Sequence, residues 1–196
     1  MEENLQKNLV DLKNRIWVTY KSRINTAERL KSKNEFIAFL SIYYSSILAA
    51  VSILNYVNKS NSMDIISIVL SVMVTILFLF FEGKNYKERY IKMKENYNKL
   101  NLLYYEIEKI ITLGEINSEK FDNFTSKYID LLNSVENHSE HDYIKYAKND
   151  KMRVIDSKDL LKYYIMECIV FFIKALVTLI PTMVLIVALV QLLLEK

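Results

Sequence analysis

The residues best equipped for chemistry lie just ahead of the first long apolar run of the chain. This segment carries one tryptophan and three cations, which we call the collar: Trp17, Lys21, Arg23 and Arg29. At about 100° per residue, the apolar residues of the segment fall on one stripe of a helix. The stripe comprises Leu5, Leu9, Leu12, Ile16, Tyr20, Ile24, Ala27 and Leu30.

Arg23 falls inside this apolar stripe, where an unpartnered guanidinium is costly. We therefore expect Arg23 to pair with a carboxylate on another helix of a bundle, or to contact the phosphate of a lipid or ligand. The collar as a whole has three interpretations: a topology signal, an anchor at the lipid headgroups, or the sensing element of a membrane effector. The cations would serve as topology signals whatever the function.

The two histidines of the chain form the second cluster with chemical potential. His138 and His141 lie three residues apart in a polar loop, with Glu140 and Asp142 beside them. Two ligands in a loop do not make a metal site, and we expect a surface turn whose side chains cap the next helix. The sequence has no glycine-rich phosphate loop, no nucleophile elbow and no CxxC pair. We therefore predict no catalytic residue, no cofactor and no metal, and we expect a protein that is not an enzyme.

Charged residues are excluded from three long blocks of the chain. Phe36–Val57 is 22 residues without a charge, Ile65–Phe81 is 17, and Ala175–Leu194 is 20. At about 1.5 Å per residue the first and third blocks are long enough for a helix to cross about 30 Å of hydrocarbon, and the second lies at the short end of the spanning range. With only two Gly and one Pro in the chain, a large sheet is disfavoured. The predicted fold is all-α: an integral membrane hairpin, a cytoplasmic helical bundle and a C-terminal third transmembrane helix.

The distribution of Lys and Arg predicts how these spans are oriented. Eight lie in residues 1–35, one (Lys59) in the hairpin turn, and fifteen in residues 82–162. The positive-inside rule then places the N-terminus and the middle segment in the cytoplasm, and the hairpin turn and the C-terminus outside. The predicted organisation is an amphipathic helix (1–35), a transmembrane hairpin (36–82), a cytoplasmic helical segment (83–162) and a third span (163–196).

Small and hydroxyl residues recur every three or four positions along the first two spans. We call them the small-residue stripe: Ser41, Ser45, Ala49, Ser52 and Asn55 in the first span, and Ser67, Ser71 and Thr75 in the second. In lipid, such residues let helices approach closely. The stripe either packs the hairpin against itself or joins copies around a hydroxyl-lined path. It carries no charge, so a strongly ion-selective filter is not expected.

The third span has a polar face of its own, formed by Glu167, Lys174, Thr178 and Thr182. Ionisable groups inside a membrane are functional candidates by default. Lys174, however, lies at the edge of the uncharged block and can extend to the cytoplasmic interface, which favours anchoring over transport. Pro181 predicts a kink that neighbouring helices can absorb.

The cytoplasmic segment between the second and third spans predicts packed helices. An apolar seam with alternating spacings of four and three runs from Tyr86 to Ile111 and ends before Gly114. We expect the second span to continue straight into this helix. A second helix should start after Asn117 or Ser118, a polar loop should follow, and Asp156 and Ser157 should cap the helix that leads into the third span.

Taken together, these features resemble the SLATT family, the SMODS- and SLOG-associating two-transmembrane effector domain. The resemblance rests on the pattern Trp17-x-Thr19-x-Lys21-x-Arg23 with Ala27 and Arg29-Leu30, followed at once by a two-span hairpin. The loop residues Asn137, His138, Asp142 and Tyr143 make the chain most similar to the fifth subfamily. The third span departs from the two-span description.

The resemblance implies a bacterial effector of antiviral or conflict systems. Such proteins are proposed to form homo-oligomers and permeabilise the inner membrane when a sensor signals infection. The implied partners are membrane lipids and a nucleotide-signalling or reverse-transcriptase sensor, with no direct contact to nucleic acid. The alternative is a non-conducting, membrane-anchored scaffold that recruits a cytoplasmic partner through the seam, and a small transporter is the third and least favoured interpretation.

Overall fold

The computed structural model describes residues 2–58, 61–150 and 155–194, and in these ranges every regular element is a helix. The helices are α1 (Glu2–Asn58), α2 (Asn61–Glu82), α3 (Tyr86–Leu113), α4 (Ser118–Asn133), α5 (Glu140–Asn149) and α6 (Ser157–Leu194). The predicted all-α fold is confirmed. The chain divides into two units: a bundle unit (1–31 and 87–160) and an apolar unit (32–86 and 161–196).

Helix α1 is continuous, and one helix boundary further along the chain differs from the expected one. Helix α1 runs through residue 35 without a break, since neither Gly nor Pro lies within it, and it supplies residues to both units. The second span does not continue straight into the seam helix. Instead α2 ends at Glu82, and a turn through Gly83 leads to Asn85 at φ 50°. Asparagine tolerates this left-handed conformation better than most residues, which allows the chain to leave one helix and begin another.

The ends of α3 and α4 follow the predicted signals. Gly114 follows α3 with φ 69°, a conformation that glycine adopts without steric cost. Asn117 caps α4, its Oδ1 accepting a hydrogen bond of 2.8 Å from the backbone N–H of Lys120. At α6, the Asp156 carboxylate accepts a bond of 3.2 Å from the N–H of Lys158.

The loop predicted around the histidines is shorter than expected, because its second half is helix α5. Ser139 and Asp142 form a capping box in which each side chain accepts a hydrogen bond from the other residue's backbone N–H. Asp142 and Tyr143 are therefore helical residues, and only Asn137 and His138 of the family-motif loop lie outside a helix.

The core of the bundle unit joins α1, α3 and α4. Its buried members are Leu9, Leu12, Ile16, Leu100, Leu103, Ile107 and Phe124. The α1 residues come from the predicted stripe, and Leu100 and Ile107 come from the α3 seam. The stripe and the seam are therefore packed against each other inside one chain.

The apolar unit contains the long uncharged stretches of α1, α2 and α6, and the described ranges hold three helices long and apolar enough to cross a membrane. Ile47, Val51 and Ala188 form a small buried cluster, with Tyr43, Leu54, Val184 and Leu185 packed around it. Residues later in α1 contact residues later in α6. Lys174 lies over the ring of Phe36, and Tyr44 reaches Val177. Helices α1 and α6 are therefore parallel neighbours, as expected for two spans that start on the same side.

Candidate functional site

Helix α1 places four polar side chains in the interior of the bundle unit: Thr19, Ser22, Arg23 and Thr26. Arg23 falls inside the apolar stripe of α1, and the other three lie to one side of it. The other helices of the bundle meet them with two buried polar residues, Asn96 from α3 and Asp142 from α5. The result is two hydrogen-bonded clusters, one around Arg23 and one around Asp142.

Arg23 is fully buried, and its guanidinium is bound by neutral oxygens. Nη1 donates to the Oδ1 of Asn96 and, at 2.9 Å, to the carbonyl of Leu131; Nη2 donates to the carbonyl of Leu132 at 3.1 Å. The expected partner was a carboxylate or a phosphate. Among the described residues the guanidinium is bound instead by a side-chain amide and two backbone carbonyls, which is a pairing across the bundle. Nε of Arg23 and Oγ of Ser22 have no hydrogen-bond partner in the part of the chain that the structure describes.

The position of Arg23 at the end of α4 explains its choice of partners. Leu131 and Leu132 lie in the last turn of α4, whose final carbonyls have no N–H donors within the helix. That turn contains no basic residue of its own. A cation there satisfies the carbonyls and opposes the negative end of the helix dipole. Asn96 reinforces the arrangement by donating to the carbonyl of Leu131 and to the hydroxyl of Ser134, both at 2.8 Å.

Burial lowers the pKa of Arg23, while the nearby Tyr128 raises it. An arginine starts from so high a pKa that it remains charged near neutrality. The cluster therefore buries a permanent positive charge. Its stability depends on the geometry of the surrounding carbonyl and amide oxygens, since no carboxylate neutralises it.

The second cluster is built on Asp142, whose side chain is 1% exposed. Arg29 binds it through two bonds, Nε to Oδ1 at 2.9 Å and Nη2 to Oδ2 at 2.8 Å. The hydroxyl of Thr26 donates to Oδ2 at 2.9 Å, and the hydroxyl and backbone N–H of Ser139 donate at 2.7 and 3.1 Å. Asn25 donates to the backbone carbonyl of Asp142. Asp142 therefore caps α5 and joins it to α1 at once.

The pKa of Asp142 is about 2, below its ordinary value of 3.8. Burial by itself would raise the pKa, but the hydrogen bonds from Arg29 and Ser139, together with the charge of Arg29, outweigh it. Asp142 is consequently ionised at any physiological pH, and the ion pair with Arg29 is a permanent part of the fold.

The remaining collar residues lie on a different part of α1. The ammonium of Lys21 lies 4.4 Å from the centre of the Trp17 ring, which also packs at 5.0 Å from Tyr104 of α3. Thr19, a residue of the family pattern, shares a hydrogen bond of 2.8 Å with the hydroxyl of Tyr128 on α4. The collar cations thus have three different partners: an aromatic ring, a helix C-terminus and a carboxylate. They do not converge on one pocket.

His138 and His141 also do not form a site with ligand geometry. Within the described ranges, no group of three or more His, Cys, Asp or Glu residues is arranged to hold a metal ion. His138 is half-buried, and burial together with the charge of Arg23 lowers its pKa, against the opposing effect of Asp142. The Asn137 side chain, by contrast, is exposed.

The small-residue stripe is largely exposed in the single chain. Ser45, Ala49, Ser52, Ser71 and Thr75 are exposed, and Ser41 and Ser67 are half-buried; the side chain of Asn55 lies outside the described residues. On α1 the stripe lies opposite the residues that pack against α6, about half a turn away at 100° per residue. The exposed members therefore do not pack the hairpin against itself.

Several serine and threonine hydroxyls of these spans donate within their own helices. Ser52 donates to the carbonyl of Leu48, and Thr75 to that of Ser71, each at 2.8 Å. On the third span Thr178 donates to Lys174 and Thr182 to Leu179 in the same way. Glu167 is exposed, and Lys174 lies 5.2 Å from the Phe36 ring centre. The polar face of α6 is therefore not assembled into a binding site.

Sequence reasoning missed Asn96 and the link between Asp142 and Arg29. For Asn96 the sequence gives no signal, since an asparagine beside an apolar seam is ordinarily exposed. For Asp142 a signal was present: Ser139 and Asp142 have the spacing of a capping box, which marks a helix start.

A comparison with protein families gives one match. The family described as the SMODS and SLOG-associating 2TM effector domain family 5 matches residues 5–189. The match covers all six helices except the ends of α1 and α6. No curated protein matches the chain, and no solved structure does.

Proposed function

Because the chain belongs to SLATT family 5, the SMODS and SLOG-associating 2TM effector domains, we propose that it is a membrane effector that oligomerises and permeabilises the inner membrane when triggered. The observation that carries this proposal is the exposed small-residue stripe on α1 and α2. Its members leave space for close approach of another helix, and the residues that pack the chain's own spans together lie on the opposite side of α1.

The proposed trigger acts on the bundle unit, which would receive the signal from a nucleotide-signalling or reverse-transcriptase sensor. Helix α1 belongs to both units without a break, so it offers a direct covalent route from one to the other. The orientation we propose has the N-terminus and the bundle unit in the cytoplasm, in keeping with the eight and fifteen Lys and Arg residues that flank the spans. The further partners are membrane lipids and other copies, and no catalysis is involved.

Membrane potential in bacteria that express the full chain tests this function. The gene is placed under a tightly controlled promoter, and a voltage-sensitive dye is followed together with growth, alone and with co-expressed sensor. We expect depolarisation that precedes the loss of viability. A normal potential under both conditions, with the protein present in the membrane, would contradict permeabilisation.

The stripe itself is tested by a matched pair of neighbouring serines. Ser45→Leu fills the stripe with a bulky side chain and should reduce depolarisation, as should Ser71→Leu on α2. Ser46→Leu is the control, because Ser46 is also exposed but lies about 100° around the helix. Equal effects of Ser45→Leu and Ser46→Leu at matched protein levels would show that the stripe has no special role.

The second candidate function is a non-conducting scaffold, and one observation bears on it. The α3 seam is not available to a partner, because Met93, Leu100 and Ile107 are buried within the chain itself. A scaffold would therefore need another surface. Leu102 and Tyr105 of α3 offer one, being 64% and 57% exposed. If Leu102→Asp abolished toxicity while the membrane potential stayed normal throughout, the scaffold would be favoured.

A further inference from the structure

A proline in the middle of α6 creates a hydrogen-bonding problem inside the apolar unit. Pro181 lies within α6 and has no backbone N–H. In a regular helix that N–H would donate to the carbonyl four residues earlier, which is the carbonyl of Val177. In an uncharged block that crosses lipid, no water is present to take its place.

The donor that Pro181 lacks is supplied by another helix. The hydroxyl of Tyr44 on α1 donates to the carbonyl of Val177 at 2.7 Å. Tyr44 is half-buried, and its ring also contacts Phe78 of α2 at 6.3 Å between centroids. Pro181 itself is buried. The one carbonyl that the proline deprives of a helical partner is thus the one that Tyr44 reaches.

The neighbouring contacts show that this bond lies within a packed pair of helices. Earlier along both helices, Lys174 of α6 lies over the Phe36 ring of α1. Later along both helices, Ile47 and Val51 of α1 pack with Ala188 of α6. In α2, by contrast, none of the side chains that the structure describes is buried. Two of the three spans therefore share a buried interface, and the third contributes mainly exposed surface.

We infer that Tyr44 is a positioning residue that replaces the backbone donor missing at Pro181 and thereby fixes α6 against α1 as a parallel pair. The third span is then a permanent companion of the first, held in register by one hydrogen bond and an apolar cluster. Helix α2 is the span left to rearrange. This assignment concerns the single chain and holds whether or not the protein permeabilises membranes.

A double-mutant cycle between residues 44 and 181 tests the inference. Tyr44→Phe removes the hydroxyl alone, and Pro181→Ala restores a backbone N–H that can donate to Val177. The full chain is solubilised in detergent, heated, and the fraction that remains monodisperse is measured by size-exclusion chromatography. At the wild-type midpoint, we expect Tyr44→Phe to lower the ratio of surviving to lost protein about threefold. In the Pro181→Ala background the same change should have little effect.

A local readout and a matched control complete the test. In a Cys168→Ser background, disulfide formation between Ile47→Cys and Ala188→Cys reports the α1–α6 pair directly and should slow in Tyr44→Phe. Tyr43→Phe removes a hydroxyl from the neighbouring residue, which packs on the same cluster through its ring, and its effect should not depend on residue 181. Equal effects of Tyr44→Phe with Pro181 and with Ala at 181, or no effect in either, would overturn the inference.

Discussion

The bundle unit and the apolar unit solve the same problem, how to hold helices together, in opposite ways. In the bundle unit α1 meets its neighbours through buried polar side chains, among them Arg23, Asn96 and Asp142. In the apolar unit α1 and α6 share a hydrogen bond from Tyr44, while hydroxyls such as those of Ser52 and Thr75 donate to their own helix. The difference follows from the surroundings that each unit is built for.

In water, apolar burial drives helices together but fixes their register only loosely, and a buried polar group that fits one arrangement penalises the others. In lipid, burial of apolar surface gives no such drive, and association depends on close packing and a few hydrogen bonds. The bundle unit should therefore be sensitive to single polar substitutions, and the apolar unit tolerant of them except at Tyr44.

The largest effect should come from Arg23→Ala in the bundle unit. The change leaves the Oδ1 of Asn96 and the carbonyl of Leu132 without their donor and removes one donor from the carbonyl of Leu131, so we expect a loss of roughly 3–4 kcal/mol in the free energy of unfolding. Trp17 is the chain's one tryptophan and belongs to the bundle unit, so its fluorescence during denaturant unfolding measures this. Arg15→Ala, at an exposed arginine of the same helix, should change the free energy by less than about 0.5 kcal/mol.

If Arg23→Ala and Arg15→Ala had similar effects, the bundle unit would not depend on its buried charge. The contrast between the two units would then be one of composition alone.

The second-largest effect should be the stability that the protein loses in acid when Asp142 is protonated and its ion pair with Arg29 is lost. Folding lowers the pKa of Asp142 from 3.8 to about 2, so the native state binds fewer protons than the unfolded state in this range. The stabilisation is complete above pH 3.8 and disappears as the pH falls to 2; it amounts to about 2 kcal/mol. Unfolding followed by Trp17 fluorescence from pH 6 to pH 2 should show it in the wild type.

The Asp142→Asn variant should lack this pH-dependent stabilisation. The difference in stability between the variant and the wild type should therefore shrink as the pH falls toward 2. Asp122→Asn, at an exposed aspartate on α4, serves as the control and should leave the pH profile of the wild type in place. Parallel profiles for the wild type and Asp142→Asn would rule out the assigned role of Asp142.

Threonine-to-valine substitutions compare the two units with the same chemical change. The Thr26 hydroxyl is buried and donates to Asp142, so Thr26→Val should cost about 1–2 kcal/mol. The Thr75 hydroxyl is exposed and donates to its own helix, so Thr75→Val should change stability by less than about 0.5 kcal/mol. Denaturant unfolding of the first variant and thermal size-exclusion analysis of the second provide the measurements. A larger cost at Thr75 would reverse the comparison.

The smallest effect should come from the exposed ion pair between the same two helices that Arg29 and Asp142 join. Lys145 and Glu28 lie 3.2 Å apart with side chains that are 40% and 60% exposed. Solvent screening limits such pairs, so we expect a coupling energy below about 0.5 kcal/mol from a Glu28→Gln and Lys145→Gln cycle. If the coupling energy of this pair equalled that of Arg29 and Asp142, burial would not be the reason why the second pair is expected to be stronger.

Much of this organisation was predictable from sequence because it depends on periodicity and composition. The apolar stripe before residue 31, the α3 seam and the uncharged blocks each carry a pattern that one kind of structure satisfies. The caps at Asn117 and Gly114 were predictable because their chemistry is local. Helix α5 is not predicted, because it has only ten residues and begins within a polar stretch typical of a loop.

The sequence by itself therefore determined the all-α fold, the three apolar spans, the family and the presence of an arginine that needed a partner. Only the tertiary structure decided what that partner is, since the carbonyl oxygens at the end of α4 belong to the backbone and leave no mark in the sequence. The same holds for Tyr44 and Pro181, which lie 137 positions apart. Nothing in the sequence links the two, and the hydrogen bond arises because packing brings a side-chain donor to a carbonyl that has lost its own.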